Sequence, residues 1–395
     1  MTVHWERRIQ FAAHPWAYPL IRGLARLGPV VRVPRIGVVV SDAALARGVL
    51  TDTRTFSKAA PGSPADLWTP VLGPTVLLNM VGEDHARLRR KLSGLFTPAA
   101  VAALCDRVLG AALAQMTARL VAGQRVDLVA EVRRCAGAVI AELVGLAYEP
   151  TRFEEMFARS TEITSMVRLS RRGLTPRQVV RARQVMDELT APAVLAYRAG
   201  APGTVPGRMR ALGLTESEAR GAVAAFVLTG TETLVSFVPR LVALAYDSGW
   251  LARIADGSAP ADTLVAEALR FTVPSPVMLR GVVAPGRIGD VAVHPGDRVV
   301  IATLSCARAY GPFDPDRAHP PELRQLWFGA GAHFCLGMPL ALAEIDAIFR
   351  AVLDAWRHAG PLVISDRRAA ARVLIPGYSR LVLAVAGRGT AGARR

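Results

Sequence analysis

Ten residues near the carboxyl end, Phe328-Gly329-Ala330-Gly331-Ala332-His333-Phe334-Cys335-Leu336-Gly337, constrain this chain more than any other segment. Three glycines so closely spaced predict a tight loop whose backbone can approach a flat ligand. Cys335 stands just before a helix with Pro339 in its first turn, so the positive helix end favours a thiolate there. A cysteine without such surroundings reads as a buried, inert core residue; this loop makes Cys335 a candidate metal ligand. Cys105, Cys135 and Cys306 are scattered and no C-x-x-C pair exists, which fits neither a disulfide framework nor a Cys-rich zinc site.

The rest of the chain reads as mainly α with a smaller β-rich region. Short strands are expected over 29–33 and 38–41, and a helix over 42–50. Repeated Pro and Gly over 57–74 suggest a long loop, of the kind that covers binding sites. Helical periodicity returns over 85–120, 127–146, 151–169 and 176–199, and the Pro/Gly cluster at 201–207 ends it. Thr215 and Glu218 form a capping-box pattern that opens a long helix. Its apolar run from Val223 to Ala245 is interrupted by Thr229-Gly230-Thr231-Glu232-Thr233, and Pro239 should remove a bond to Val235 at about 3 kcal/mol unless a kink absorbs it. A helix over 262–271, β-like segments over 277–283 and 298–304, and a helix after Cys335 complete the reading.

The formal charge of +16 could steer anionic partners. Lys58 and Lys91 are the only lysines, however, so almost every cation is Arg in an Ala- and Gly-rich chain, and the charge reads as compositional background. Without a recognition-helix, zinc-finger or aromatic-interleaved basic motif, no nucleic-acid partner is expected. With no transit-like start and no apolar run of about 18 residues, a cytoplasmic protein without a membrane partner is expected.

Three further patterns stand out. Glu267 and Arg270 lie three apart on one helix face and can pair; by itself that pattern is an ordinary surface ion pair. His85 and Arg89 share a face at four-residue spacing and could hold carboxylates. Glu232 and Thr233, a carboxylate and an alcohol in an apolar helix, could organise water and deliver protons; the bland reading is a Thr bonded back to a helical carbonyl and a solvated Glu.

The decapeptide matches every specified position of the cysteine-loop signature F-G-x-G-x-H-x-C-x-G and so resembles the cytochrome P-450 superfamily of soluble bacterial type. The other three patterns fall in the family's order. The resemblance implies a cytochrome P-450 fold with a single haem-binding domain over 15–386, an N-terminal segment 1–14 and a disordered tail 387–395. It implies haem b with the Cys335 thiolate as axial ligand, a ligand that donates strongly enough to help split an oxygen–oxygen bond. His85, Arg89, Arg280 and His333 would hold the propionates, Gly230, Phe328 and Gly337 would lie close to the haem, and Glu232 and Thr233 would manage protons. Glu267 and Arg270 would buttress the haem-side loop.

Several positions depart from the family. Thr229 and Leu234 replace usual neighbours of the acid–alcohol pair. Arg308 is flanked by alanines, and Pro320 falls near an expected loop Arg, so Arg317 or Arg324 is expected to partner Glu267 instead. The resemblance places pocket walls at 57–78, 225–229, 273–279 and 375–378, with Phe226, Val277, Met278 and Ile375 as contacts. The implied activity is monooxygenation, hydroxylating or epoxidising a hydrophobic molecule such as a secondary-metabolite intermediate, with NAD(P)H electrons arriving through a separate ferredoxin and ferredoxin reductase. Arg87, Arg90 and Lys91, opposite His85 and Arg89, would dock that donor. Oxidative coupling, ring closure or desaturation on the same fold is the enzymatic alternative, and a haem-binding sensor or carrier the non-enzymatic one.

Overall fold

The computed structural model describes residues 2–146, 153–167 and 173–387. The expected helix ends near 146–152 and 168–172, and the tail from Arg388, lie outside the described residues. Helices α1 (Thr2–Ala13) and α2 (Ala17–Leu27) lead into a hairpin of β1 (Val30–Val33) and β2 (Gly37–Val40). Asp42 caps α3 (Ala43–Thr51) by accepting from the Leu45 N–H at 2.9 Å. After β3 (Phe56–Ser57), the stretch expected to be all loop contains α4 (Ala65–Leu72). Pro64 precedes that helix, where its missing N–H costs nothing, and Trp68 and Val71 turn inward, so core burial overrides the Pro-rich composition.

Helices α5 (Gly82–Ser93) and α6 (Pro98–Val121) are separated by a 3-10 turn, and Thr97 caps the second with Pro98 in its first turn. Then come β4 (Val126–Asp127), α7 (Leu128–Leu143), α8 (Phe153–Ser165) and α9 (Pro176–Ala199). The cluster at 201–207 does more than end a helix: Thr204 caps α10 (Val205–Ala211), with Pro206 at its start. The expected capping box is present, with Thr215 and Glu218 bonding reciprocally at the head of α11 (Glu216–Asp247), a 32-residue helix that holds Pro239 inside it.

Beyond α12 (Trp250–Ala255) and α13 (Ala261–Thr272) lie β5 (Met278–Val282), β6 (Gly286–Ile288), β7 (Val291–Val293) and β8 (Arg298–Ile301). The strand expected to reach 304 stops at Ile301, and α14 (Thr303–Arg308) begins there. After the cysteine loop come α15 (Met338–Ala359) and the hairpin β9 (Leu362–Ala369) and β10 (Tyr378–Val385). A five-stranded sheet has the order β1-β2-β8-β5-β3, in which only β2 and β8 run parallel. A second sheet orders β4-β10-β9, and β6 pairs with β7 alone.

The core gathers around α11, whose Val223, Val227, Phe237, Leu241 and Val242 are buried. The sequence reading found no long apolar run, yet α6 and α11 are both long and apolar enough to cross a membrane. The few charged residues inside those helices break the run yet leave its mean hydropathy high, and most of the apolar window of α11 is buried inside the fold. The N-terminus is tied in by a buried ion pair: Glu6 on α1 accepts from Arg240 on α11 at 2.9 and 2.5 Å.

Candidate active site

The loop before α15 is shaped by its glycines and closed by its own backbone. Gly331 has a φ of 66°, and a Cβ there would lie 3.1 Å from the Leu50 carbonyl oxygen, so the loop rests flush on α3. The Cys335 N–H donates to the Phe328 carbonyl at 2.8 Å. Phe328 meets Phe334 edge to face with centroids 6.4 Å apart, and Gly337 forms the N-terminal cap position of α15. Cys105, Cys135 and Cys306 are buried, and burial pushes their thiols up to about 12, which leaves them unreactive. Cys335 is only partly covered. Burial raises its thiol as well, but the Gly337 and Met338 N–H groups and the cations Arg89 and Lys58 oppose that rise. The helix-end donors expected from the sequence are therefore in place, although desolvation outweighs them.

Five basic side chains form one cluster, of which Lys58 and Arg89 act on this thiol. His85 and Arg89 stand one turn apart on α5, and the His85 ring lies 4.3 Å from the His333 ring, centroid to centroid. Burial, followed by neighbouring basic groups, pushes His85 down to about 4 and His333 down to about 3. Both are neutral at pH 7, so each ring can donate one hydrogen bond. Arg280 on β5 is buried, donates to the Leu279 carbonyl at 2.8 Å and is lowered to about 10 by burial, remaining a cation.

The fifth, Lys58, was not singled out from the sequence. Ser57 pairs with Gly281, so the next residue, Lys58, comes level with Arg280 across the strands. The following residues press so close that a Cβ at Gly281 would collide with the Pro61 carbonyl. Burial and then Arg280 push Lys58 down to about 8. Its only sequence signal was its rarity, as one of two lysines.

Among the described residues, no carboxylate pairs with any of these five groups, and the one acidic neighbour named by their electrostatics is the Cys335 thiol. Arg280 is buried while Arg89 and Lys58 are half-buried, and cations drawn out of water without counter-charge are unfavourable. A group that brings two carboxylates and a metal to a thiol fits this set, and haem is such a group: Cys335 would take the iron, while Arg89, Arg280, Lys58 and the two neutral histidines would take the propionates.

The polar interruption of α11 is accommodated within the helix. A Cβ at Gly230 would meet nothing within 4 Å, so the helix presents open space there. The Thr233 hydroxyl donates to the Gly230 carbonyl at 3.2 Å, the back-bonded arrangement of the bland reading. Glu232 is not simply solvated, because its Oε1 accepts from the Thr164 hydroxyl on α8 at 3.1 Å. Thr229 likewise bonds back to the Ala225 carbonyl at 2.7 Å. Phe226 packs edge-on against Phe96, and the 375–378 turn is pinned to α11 where Ser236 donates to the Pro376 carbonyl at 2.6 Å. Val277 instead lines a cavity beside α2.

Glu267 and Arg270 form a fully buried bidentate pair, with both contacts at 2.6 Å, rather than a surface pair. Arg270 also donates to the carbonyls of Ala307 and Pro312. The third partner of Glu267 is neither Arg317 nor Arg324 but His319, whose Nε2 lies 2.8 Å from Oε2, and the Asp314 N–H adds a fourth bond at 2.7 Å. Arg317 is occupied by Asp314 and the Tyr310 carbonyl. On α5, Arg87 and Lys91 do not form a free patch with Arg90: both reach Glu218, at 3.0 and 3.6 Å.

Fold, cysteine loop and a basic ring without a carboxylate partner among the described residues together fit a haem-thiolate class of protein. The Cytochrome P450 family description matches residues 261–363. The chain is 29% identical over 357 residues to Cytochrome P-450 monooxygenase DoxA of Streptomyces sp. (strain C5), covering 80% of this chain and 82% of that protein. It is 27% identical over 296 residues to the C-19 steroid 1alpha-hydroxylase of Sorangium cellulosum (strain So ce56), covering 70% and 73%. In fold it is similar to a solved mutant of P450 EryK in complex with erythromycin B, with a TM-score of 0.78, 23% identity, and 98% and 99% of the two chains covered. The chain thus has the cytochrome P450 fold and is similar in sequence to bacterial cytochrome P450 monooxygenases over most of its length.

Proposed function

We propose that this chain is a haem b monooxygenase that hydroxylates or epoxidises a hydrophobic secondary-metabolite intermediate. The observation that carries the reading is the ring of Lys58, Arg89 and Arg280 around Cys335, closed by two neutral histidines and lacking an acid among the described residues. When bound, haem supplies reductive activation of dioxygen and insertion of one oxygen atom into substrate. The chain's own part is positioning. The arginines and Lys58 hold carboxylates, His85 and His333 each donate a hydrogen bond, and Phe328, Gly337 and Gly230 leave room for a flat ring. Residues 15–386 would form the haem-binding domain, and the surroundings would be cytoplasmic.

Thr233 Oγ1 and Glu232 are the proposed proton groups. The Thr233 bond to Gly230 is long at 3.2 Å, so rotation can release the hydroxyl into the open space beside that glycine at little cost. Glu232, held by Thr164, can pass a proton towards it. The Thr233→Ala protein should keep haem and substrate binding but divert reducing equivalents from product into hydrogen peroxide. Loss of a general-acid path slows the proton step by about 10²–10⁴-fold. An unchanged ratio of product to NAD(P)H consumed would remove Thr233 from the relay.

A ferredoxin with its reductase is the proposed electron source, with exposed Arg90 on α5 as one docking charge. Relatives named for a steroid hydroxylase and for hydroxylation of erythromycin support a bulky apolar substrate. A spectral binding screen of such molecules, followed by product mass, tests the function: gain of one oxygen atom supports it, and loss of hydrogen alone points to coupling, ring closure or desaturation.

A further inference from the structure

Away from the cysteine loop, the N-terminal helices enclose a cavity that the haem chemistry does not use. It has a volume of about 580 Å³ and lies between α1, α2, the end of α13 and α14. Its floor is apolar, formed by Ile21, Ala25, Phe271, Val277 and Leu304. Its mouth is cationic. Arg7, Arg22 and Arg26 are exposed there, and none has an ion-pair partner among the described residues. Arg308 also lines the cavity, but Glu6 already pairs with it at 3.3 Å. No Asp or Glu lines the cavity.

Gln10 adds an independent sign. It lines the same cavity, is only 1% exposed, and its amide nitrogen has no acceptor. A buried donor left unsatisfied is unfavourable, and an acceptor on a ligand would remove that cost. The volume falls within the range of small-molecule sites, and an apolar floor under converging donors is their usual composition.

We propose that this cavity is a second small-molecule site, separate from the haem pocket, for an aliphatic carboxylate. The carboxylate would sit among Arg7, Arg22 and Arg26 within reach of Gln10, and the hydrocarbon would cover Ile21 and Val277. The arrangement selects by charge: an anion meets three free guanidinium groups, while a cation of the same shape is repelled.

The test uses the haem-loaded protein saturated with a bulky iron-ligating aryl-imidazole, so that binding in the iron-side pocket is blocked. Dodecanoate is titrated by calorimetry, with dodecylammonium as the charge-reversed control. One equivalent of dodecanoate is expected to bind and dodecylammonium none. Ala25→Trp, which fills the floor, should abolish binding. Arg22→Glu, at an exposed position, should weaken it about tenfold or more, the scale of a hydrogen bond to a charged group. Both variants should keep the wild-type Soret spectrum. Failure of dodecanoate to bind, equal binding of dodecylammonium, or undiminished binding by Arg22→Glu would overturn the proposal. Should Ala25→Trp not fold, Arg22→Glu alone decides. The haem-site reading survives any of these results, because it rests on Cys335 and is read from a different spectrum.

Discussion

At Glu267 every buried charge meets its counterpart inside the chain, whereas beside Cys335 three cations meet no carboxylate among the described residues. Glu267 receives Arg270 twice, His319 and the Asp314 N–H, and Arg270 spends its remaining donors on backbone carbonyls. That network is complete, so its role is to hold α13 against the 307–319 segment. The ring of Lys58, Arg89 and Arg280 is incomplete, and its positions are kept by strand register and helix spacing rather than by mutual attraction. A complete network needs nothing from a ligand and is harmed by losing a member; an incomplete one is satisfied by what it binds.

The largest effect is expected of Glu267→Gln, which leaves the Arg270 guanidinium buried without its counter-charge. Unfolding by denaturant should show a loss of about 3–5 kcal/mol, the cost of stranding one member of a buried pair. A smaller cut comes from Arg280→Ala. Haem should dissociate faster, with about 2–5 kcal/mol of binding lost, while the haem-free protein unfolds at the wild-type midpoint or above, because an unfavourable charge has gone. If Arg280→Ala destabilises the haem-free protein as Glu267→Gln does, the two clusters are alike and the contrast fails. The smallest effect belongs to His319→Ala, which removes one of the bonds to Glu267 and should cost about 1–3 kcal/mol in the same unfolding measurement.

The same contrast explains what the sequence made legible. Local patterns were readable: the capping box of Thr215 and Glu218, the face shared by His85 and Arg89, and the glycine-rich approach to Cys335 all depend on residues a few positions apart. Features made by distant pairing were not. Lys58 reaches the site because β3 lies beside β5, more than two hundred residues later in the chain. The hairpin of β9 and β10 draws part of its support from β4, where Leu383 pairs with Val126. His319 serves Glu267 through a loop whose path no periodicity announces. Helix α4 was hidden for a different reason, since the Pro and Gly content of 57–74 outweighed the inward face of Trp68 and Val71.

Cys335, set beside its cluster of basic groups, is the proposed thiolate ligand to haem. The most direct test is the absorption spectrum of the reduced carbonyl complex, recorded for the wild-type and Cys335→Ala proteins after each is loaded with haem. The wild-type protein should show the red-shifted Soret band of thiolate-ligated haem, and Cys335→Ala should lose that band while retaining bound haem through Arg89, Arg280 and Lys58. A red-shifted band that persists in Cys335→Ala would contradict the account.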